Sequence, residues 1–402
     1  MGQAPWRAIK IAIWLVAILA ILLLIVLPLA TALWIQLMPA PPASMGRYLR
    51  WIQNLQYYSL SLLAGAYFFF LGSCFASFLN VVAWRVPRGQ SILGHSSCPD
   101  CNNRLPFRDN FPVVGWLYNE GQCSSCQAPI SPRYLVVELA LGSVFLLIAL
   151  ATLASGGITL PIRPPNQDTG FARILFNPQW DLIQIVAGQL SLILFLFTFA
   201  LIDLERFSLP RSILIIGIFF GFGLALLTPA TTLFCYTWPL SNAWPMTPGS
   251  FGLWGTLLIG TLAGGLCGKL LDCGLRRHLK VNPIQQLWDD VPEEIEDTFE
   301  KPGIAEAENK YLESARAACE QTENTSATKQ TTSSFYYAMA LCGLFLGWQS
   351  ALILIIWIVV LTFALPKTMR AGRYNLKTAN TILFAACIIH LMSWRWMNLL
   401  GN

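Results

Sequence analysis

Charged residues are scarce in this chain. Of its 402 residues, 12% are Asp, Glu, Lys or Arg and 55% are hydrophobic, whereas soluble domains carry about 25% charged residues. The Lys and Arg residues lie in short loops beside apolar runs, as they do in membrane proteins, so the net charge of +5 indicates no nucleic-acid partner. The composition excludes an ordinary soluble domain and predicts a membrane protein.

Several signatures of soluble enzymes are also missing. The three histidines form no metal-binding cluster along the sequence. There is no nucleotide-binding glycine loop, no Ser-His-Asp arrangement and no repeat with a period of about 20–50 residues. The chemistry of the chain therefore has to come from its cysteines and its acidic residues.

Four of the 11 cysteines form two CxxC pairs. These are Cys98 with Cys101 and Cys123 with Cys126. Two CxxC pairs at this separation are typical of a structural zinc site with four thiolate ligands, in which each pair sits on a tight knuckle. The alternative is four free or disulfide-bonded cysteines. The other seven are scattered, mostly in apolar runs, as small core residues are.

Long apolar runs predict an all-α fold with about eight to nine membrane segments, since roughly 20 residues cross a bilayer. The runs are 11–37, 57–84, 134–153, 182–204, 213–227, 253–271, 335–365 and 378–396. The run 335–365 contains Gly347. It forms either a hairpin that turns there or one long tilted helix, and the two choices place the basic loop after it on opposite sides of the membrane.

The polar segment around the cysteines is predicted to be cytoplasmic. Its arginines are Arg85, Arg88, Arg104, Arg108 and Arg133. Basic loops stay on the cytoplasmic side, and a reducing compartment favours zinc thiolates over disulfides. Lipid is expected around the helices. The oligomeric state cannot be derived from these patterns.

The patterns divide the chain into five parts. Residues 1–55 hold an N-terminal helix and loop, 56–154 hold two helices that flank the cysteine domain (about 85–133), 155–280 form a membrane core, 281–332 form an insert, and 333–402 form a hairpin and a last helix. The insert carries 12 of the 21 acidic residues. Its low hydrophobicity and high charge predict a disordered cytoplasmic segment.

Acidic residues near the membrane are the candidates for chemistry, because a carboxylate in hydrocarbon is costly. Asp203 and Asp272 end two apolar runs at similar depth, and Glu138 lies one turn into another. Each also has a structural interpretation as the partner of a neighbouring arginine.

Three stretches of the sequence resemble the prepilin peptidases, also called type IV leader peptidases. Residues 72–87 resemble the GSFLNVVIxRxP segment of that family, and residues 97–138 resemble its zinc domain almost continuously. Residues 200–210 resemble the first catalytic motif, IDxxxxxLPD, with Arg211 in place of the final acid.

The resemblance implies a membrane aspartic endopeptidase, located in the inner membrane of a bacterium. Such an enzyme removes the basic leader from type IV prepilins or type II secretion pseudopilins at the cytoplasmic face, using two aspartates that activate one water. Asp203 matches the first of these aspartates. Many relatives also methylate the new N-terminus with S-adenosylmethionine, a function linked to the zinc-bearing half.

The second catalytic motif of that family, GxGDxK, is missing. Counting back from Gly347-Trp348-Gln349 puts Phe335 at the position of its aspartate. Three hypotheses follow: an active peptidase with a substitute acid, a catalytically inactive relative that binds prepilins or assembles with a pilus or secretion complex, or a protein that retains only methyltransferase or binding capacity. Asp272 is the first candidate for the substitute. Further candidates are Asp289, Asp290 and Asp297.

Overall fold

The structure is a computed structural model of the whole chain. It describes residues 46–227 apart from 99, 161–164, 168, 206 and 208, together with 250–279, 327–346, 348–364 and 379–399, and single positions at 26, 30, 33 and 37. Most of the predicted first membrane run, most of the acidic insert, and Asp289, Asp290 and Asp297 lie outside the described residues.

The described part of the chain is built from helices. In chain order they are α1 (Gly46–Arg85), α2 (Val114–Tyr118), α3 (Arg133–Ile148, continued by a π-helical turn at Ala149–Ala154), α4 (Phe171–Phe176), α5 (Trp180–Leu204), α6 (Arg211–Leu227), α7 (Ser250–Leu279), α8 (Ala327–Leu346), α9 (Trp348–Ala364) and α10 (Ala379–Leu399). Extended pairing within these residues is limited to two isolated bridges in the cysteine domain. The predicted helical class is confirmed.

Three of these helices are long and apolar enough to cross a membrane: Asn54–Arg85, Arg133–Ala154 and Trp180–Leu204. Five shorter apolar helices follow, at Arg211–Leu224, Leu257–Leu271, Phe335–Leu346, Ser350–Thr362 and Ala379–Ser393. These helices agree with a membrane protein. The count of eight to nine segments stays a prediction.

The described residues group into two compact units. The first comprises Met1–Arg85, Gln90–Ser191 and Leu391–Asn402. In it, α1 and α3 pack antiparallel at short distance, and glycines allow this approach. A Cβ atom on Gly72 would lie 2.7 Å from the carbonyl oxygen of Leu141, and one on Gly142 would collide with the Ser73 side chain. This pair of helices carries the cysteine domain between Arg85 and Arg133.

The second unit comprises Val86–Gly89 and Leu192–His390. Here α7 packs closely on α8. Gly260, Gly264 and Gly268 are spaced four residues apart on α7, and small residues at this spacing let two helix backbones approach. A Cβ atom on Gly343 of α8 would collide with the carbonyl oxygen of Gly260, so the two backbones are in direct contact.

The C-terminal run differs in its boundaries from the sequence prediction. Helix α8 begins at Ala327, inside the Ser/Thr-rich end of the predicted insert, instead of near Phe335. Helices α8 and α9 end and begin on either side of position 347 and contact each other. The choice between a hairpin and one tilted helix for 335–365 stays a prediction.

Candidate functional site

The two CxxC pairs lie on two copies of one local fold. In the first, the Cys98 N–H donates to the Asn103 carbonyl, and the Asn102 N–H donates back to the Cys98 carbonyl. The second repeats both bonds 25 positions later, from Cys123 to the Ala128 carbonyl and from Gln127 to the Cys123 carbonyl. An isolated bridge closes each copy, Ser97 with Arg104 and Gln122 with Pro129. The sequence predicted these knuckles.

The knuckles bring the four sulfurs into one cluster. The Sγ atoms of Cys98, Cys101, Cys123 and Cys126 all lie within 4.8 Å of one another, and those of Cys98 and Cys126 are 3.7 Å apart. Tetrahedral zinc with Zn–S bonds of about 2.3 Å requires sulfurs about 3.8 Å apart, whereas a disulfide requires about 2.05 Å. All four cysteines are free. The donor set and its spacing fit a four-coordinate metal.

The thiols of the cluster differ in acidity. Backbone hydrogen bonds from Cys126 and Ser125 lower the pKa of the Cys123 thiol to about 7. A backbone hydrogen bond at Ala128 acts to lower the pKa of Cys126, but burial and hydrogen bonds with the other three thiols outweigh it and raise that pKa to about 12. The ligands of a four-cysteine metal site are thiolates, and a bound dication would stabilise their ionised form.

Asp109 links the second knuckle to the segment before α2. Its Oδ2 accepts a hydrogen bond from the Ser124 hydroxyl, and its Oδ1 lies 3.5 Å from Arg108 Nε. Burial favours the neutral carboxyl, but hydrogen bonds from Ser124, Asn119 and Arg108 outweigh it and hold the pKa of Asp109 below its ordinary value. The carboxylate therefore stays ionised at neutral pH and fixes the loop of the second knuckle.

A strained turn connects the cysteine domain to the membrane helices. Val113 has φ 62° and ψ −55°, and the Val114 N–H donates to the Pro112 carbonyl across it. This is a γ-turn in a conformation that β-branched residues rarely adopt. The Val113 N–H donates to Glu138 Oε2 at 2.7 Å, and the Glu138 carbonyl accepts from Ser73 at 3.1 Å. Buried Glu138 thus anchors the domain to α3 and α1.

The second candidate site lies at the end of α5. Asp203 is buried in the last turn of that helix. Its Oδ2 accepts a hydrogen bond of 2.6 Å from Nδ2 of Asn380, which is buried in the first turn of α10. The C-terminal end of a helix disfavours a carboxylate, while the N-terminal end of another favours one. Asn380, an amide, thus meets the Asp203 carboxylate from the N-terminal end of α10, which is the end that favours negative charge.

The other sequence candidates stand as follows. Phe335, at the counted position of the second aspartate, is buried within α8 at 3% exposure. The backbone of Asp272 belongs to α7, but its side chain lies outside the described residues. Its proposed role as a substitute acid stays a prediction.

Sequence reasoning missed Asn380. Only acidic residues were considered as partners of Asp203, and an amide that opens an apolar run was overlooked. The signal was present, because a polar side chain in the first turn of an apolar helix needs a buried partner. The 177 positions between the two residues gave no local pattern to connect them.

Comparison with known proteins defines the class of the N-terminal part. Residues 70–152 match the family described as the Bacterial Peptidase A24 N-terminal domain. This range contains the four cysteines, the Val113 turn and Glu138, which are the features that join the knuckles to α1 and α3.

Curated relatives of similar sequence are named as prepilin leader peptidases or leader peptide-processing enzymes. A prepilin leader peptidase/N-methyltransferase of Myxococcus xanthus is 35% identical over 164 residues, covering 40% of this chain and 41% of the relative. One of Klebsiella pneumoniae is 40% identical over 90 residues, 21% of this chain and 40% of the relative. A type 4 prepilin-like proteins leader peptide-processing enzyme of Escherichia coli is 39% identical over 104 residues, 21% of this chain and 39% of the relative.

These matches confirm the resemblance to the prepilin peptidase family. The chain spans about two fifths of the length of each of these relatives. No solved structure matches it significantly.

Proposed function

We propose that the protein is a prepilin peptidase-type aspartic endopeptidase of the bacterial inner membrane. It removes the basic leader of a type IV prepilin or a type II secretion pseudopilin at the cytoplasmic face. One observation carries this proposal. The Asp203 side chain is buried at the end of α5, which is long enough to cross a membrane, and it accepts a hydrogen bond from Asn380 of α10. Its sequence context resembles the first catalytic motif of the prepilin peptidases, with Arg211 in place of the final acid.

The cysteine domain holds zinc in this proposal. Cys98, Cys101, Cys123 and Cys126 are its ligands, and the fit of their spacing to tetrahedral coordination supports the assignment. Four thiolates leave no open coordination position, so the ion orders the domain and takes no part in hydrolysis. The ordered domain is a platform that presents the leader. N-methylation with S-adenosylmethionine stays a prediction of the resemblance.

A second candidate function has one specific observation in its favour. The group hydrogen-bonded to Asp203 is an amide, whereas two carboxyl groups that share a proton are the usual aspartic arrangement. On this basis the protein would be a catalytically inactive relative that binds prepilins during assembly of a pilus or secretion system.

Co-expression with a type IV prepilin separates the two candidates. A peptidase shortens the prepilin, and Asp203→Ala abolishes the shortening, because the water loses its base. The inactive relative leaves the prepilin intact, yet still crosslinks to the leader. A wild-type protein that neither shortens the prepilin nor crosslinks to it contradicts both candidates.

A further inference from the structure

The contact between α5 and α10 places two polar groups together in an apolar setting. Asn380 Nδ2 lies 2.6 Å from Asp203 Oδ2. One to two turns further along each helix, the rings of Phe197 and Phe384 pack with centroids 5.3 Å apart. These two contacts join the helices in antiparallel order, so both members of the polar pair lie on helices and not on a loop.

Both members of the pair are shielded from solvent. Asp203 is 7% exposed and Asn380 is 1% exposed. The hydrogen bond between them is therefore made away from water. Donors fixed in a water-poor site stabilise negative charge more strongly than water-exposed donors do, since they need no rearrangement during a reaction.

We propose that Asp203 and Asn380 form a carboxylate–amide pair, in which Asn380 takes the part that a second, protonated aspartate plays in an aspartic dyad. This inference rests on the proposed peptidase function and names the second residue of its site. Two independent observations carry it: Phe335 stands where the second aspartate is expected along the sequence, and Asn380 stands against Asp203 in space.

The hydrolysis can be written with one titrating residue. The Asp203 carboxylate removes a proton from water as the water oxygen bonds to the scissile carbonyl carbon. The C=O π electrons move to the oxygen, and an N–H of Asn380 donates to the resulting oxyanion. Asp203 then gives the same proton to the leaving nitrogen as the C–N bond breaks. An amide nitrogen carries two N–H groups, so one side chain can donate both to Asp203 and to a substrate oxygen.

The pair differs from a dyad in its response to pH. In a dyad, cleavage falls at high pH because the protonated carboxyl that polarises the carbonyl loses its proton. An amide does not titrate. Cleavage by a carboxylate–amide pair therefore rises as Asp203 ionises and then stays level, until the protein itself loses structure.

The test uses the full-length protein reconstituted in liposomes with a type IV prepilin that carries its leader. Asn380→Leu keeps the approximate size and removes the donor. It should lower kcat by about 10²- to 10³-fold, the usual effect of removing one oxyanion donor, with a small change in KM. Asn380→Asp should keep cleavage and convert the level pH profile into one that falls at high pH.

Thr381→Val is the control. It alters the next side chain, whose hydroxyl has no hydrogen-bond partner within the described structure, and should cleave like wild type.

Several outcomes overturn the inference while leaving the peptidase intact. One is that Asn380→Leu cleaves at the wild-type rate. Another is that cleavage by the wild type falls at both low and high pH. If Asn380→Leu fails to fold, as judged by its melting curve, the wild-type profile alone decides. Cleavage by Asn380→Asp where wild type has none would make the amide the cause of inactivity and refute its donor role. Absence of cleavage from wild type and every variant would reject the peptidase function together with the pair.

Discussion

Asp109 shows how a single carboxylate can order the cysteine domain. It lies in the segment between the knuckles and binds Ser124, which is next to the ligand Cys123 in sequence. Hydrogen bonds to a charged group contribute about 1.5–3 kcal/mol, so the loss of the charge should loosen the second knuckle.

Replacement of Asp109 by Asn is therefore expected to lower the melting temperature of the protein. The lowered pKa of Asp109 determines how this effect on the melting temperature depends on pH. The carboxylate contributes fully at any pH above the ordinary Asp value, and its contribution is lost as pH falls through the lowered pKa. The difference between wild type and Asp109→Asn should be constant from pH 8 to pH 5 and shrink below about pH 4.

Asp100→Asn is the matched control, since Asp100 is an exposed acid of the same domain. Equal shifts for the two variants would mean that net charge, and not the Ser124 contact, is responsible. Melting curves in one detergent over this pH series measure both.

The residues of the site differ in how far the sequence reveals them. The ligand cysteines are predictable because their spacing is local and each knuckle closes on itself within a few residues. Asp203 is predictable as a candidate because a carboxylate at the end of an apolar run is energetically costly in a membrane. Asn380 and the contact between Val113 and Glu138 are not, because each depends on a tertiary contact that no spacing in the sequence encodes.

At the level of elements, the glycines of α7 and α8 set the distance between two helices. A Cβ atom on Gly343 would collide with the Gly260 carbonyl oxygen, which is backbone and cannot rotate away. By contrast, a Cβ atom on Gly223 of α6 would have nothing within 4 Å.

Gly343→Ala should destabilise the protein by about 1–3 kcal/mol, the usual cost of overpacking. Gly223→Ala should be neutral or slightly stabilising, since alanine favours a helix over glycine by about 1 kcal/mol. Thermal unfolding in detergent compares them. Equal melting temperatures for the two variants would show that α7 and α8 do not approach this closely.

The knuckles are the second element that can be tested alone. Protein purified without chelator should contain about one equivalent of zinc, as four thiolates bind one ion. The double variant Cys101→Ser, Cys126→Ser should contain almost none, because two ligands are lost. Cys74→Ser changes a free cysteine of α1 instead, and it should keep the metal.

Mass spectrometry of the metal content decides this point. Less than half an equivalent in wild type, or equal zinc in the double variant and in Cys74→Ser, would exclude the four-cysteine site.

At the scale of the whole molecule, the matched family domain and the carboxylate–amide pair belong to different compact units. The cysteine domain, α1 and α3 form part of the first unit, and Asp203 and Asn380 belong to the second. The sequence resemblance is strongest in the first unit, while the missing second motif and the amide both fall in the second. The proposed function therefore predicts that binding of the leader and its hydrolysis can be separated by mutation.

The most direct measurement is the mass of a type IV prepilin after incubation with the protein in liposomes. With wild type, the prepilin should lose the mass of its leader, and with Asp203→Asn it should keep its full mass, because the base that activates water is gone. An intact prepilin with wild type, or equal cleavage by wild type and Asp203→Asn, would contradict the account.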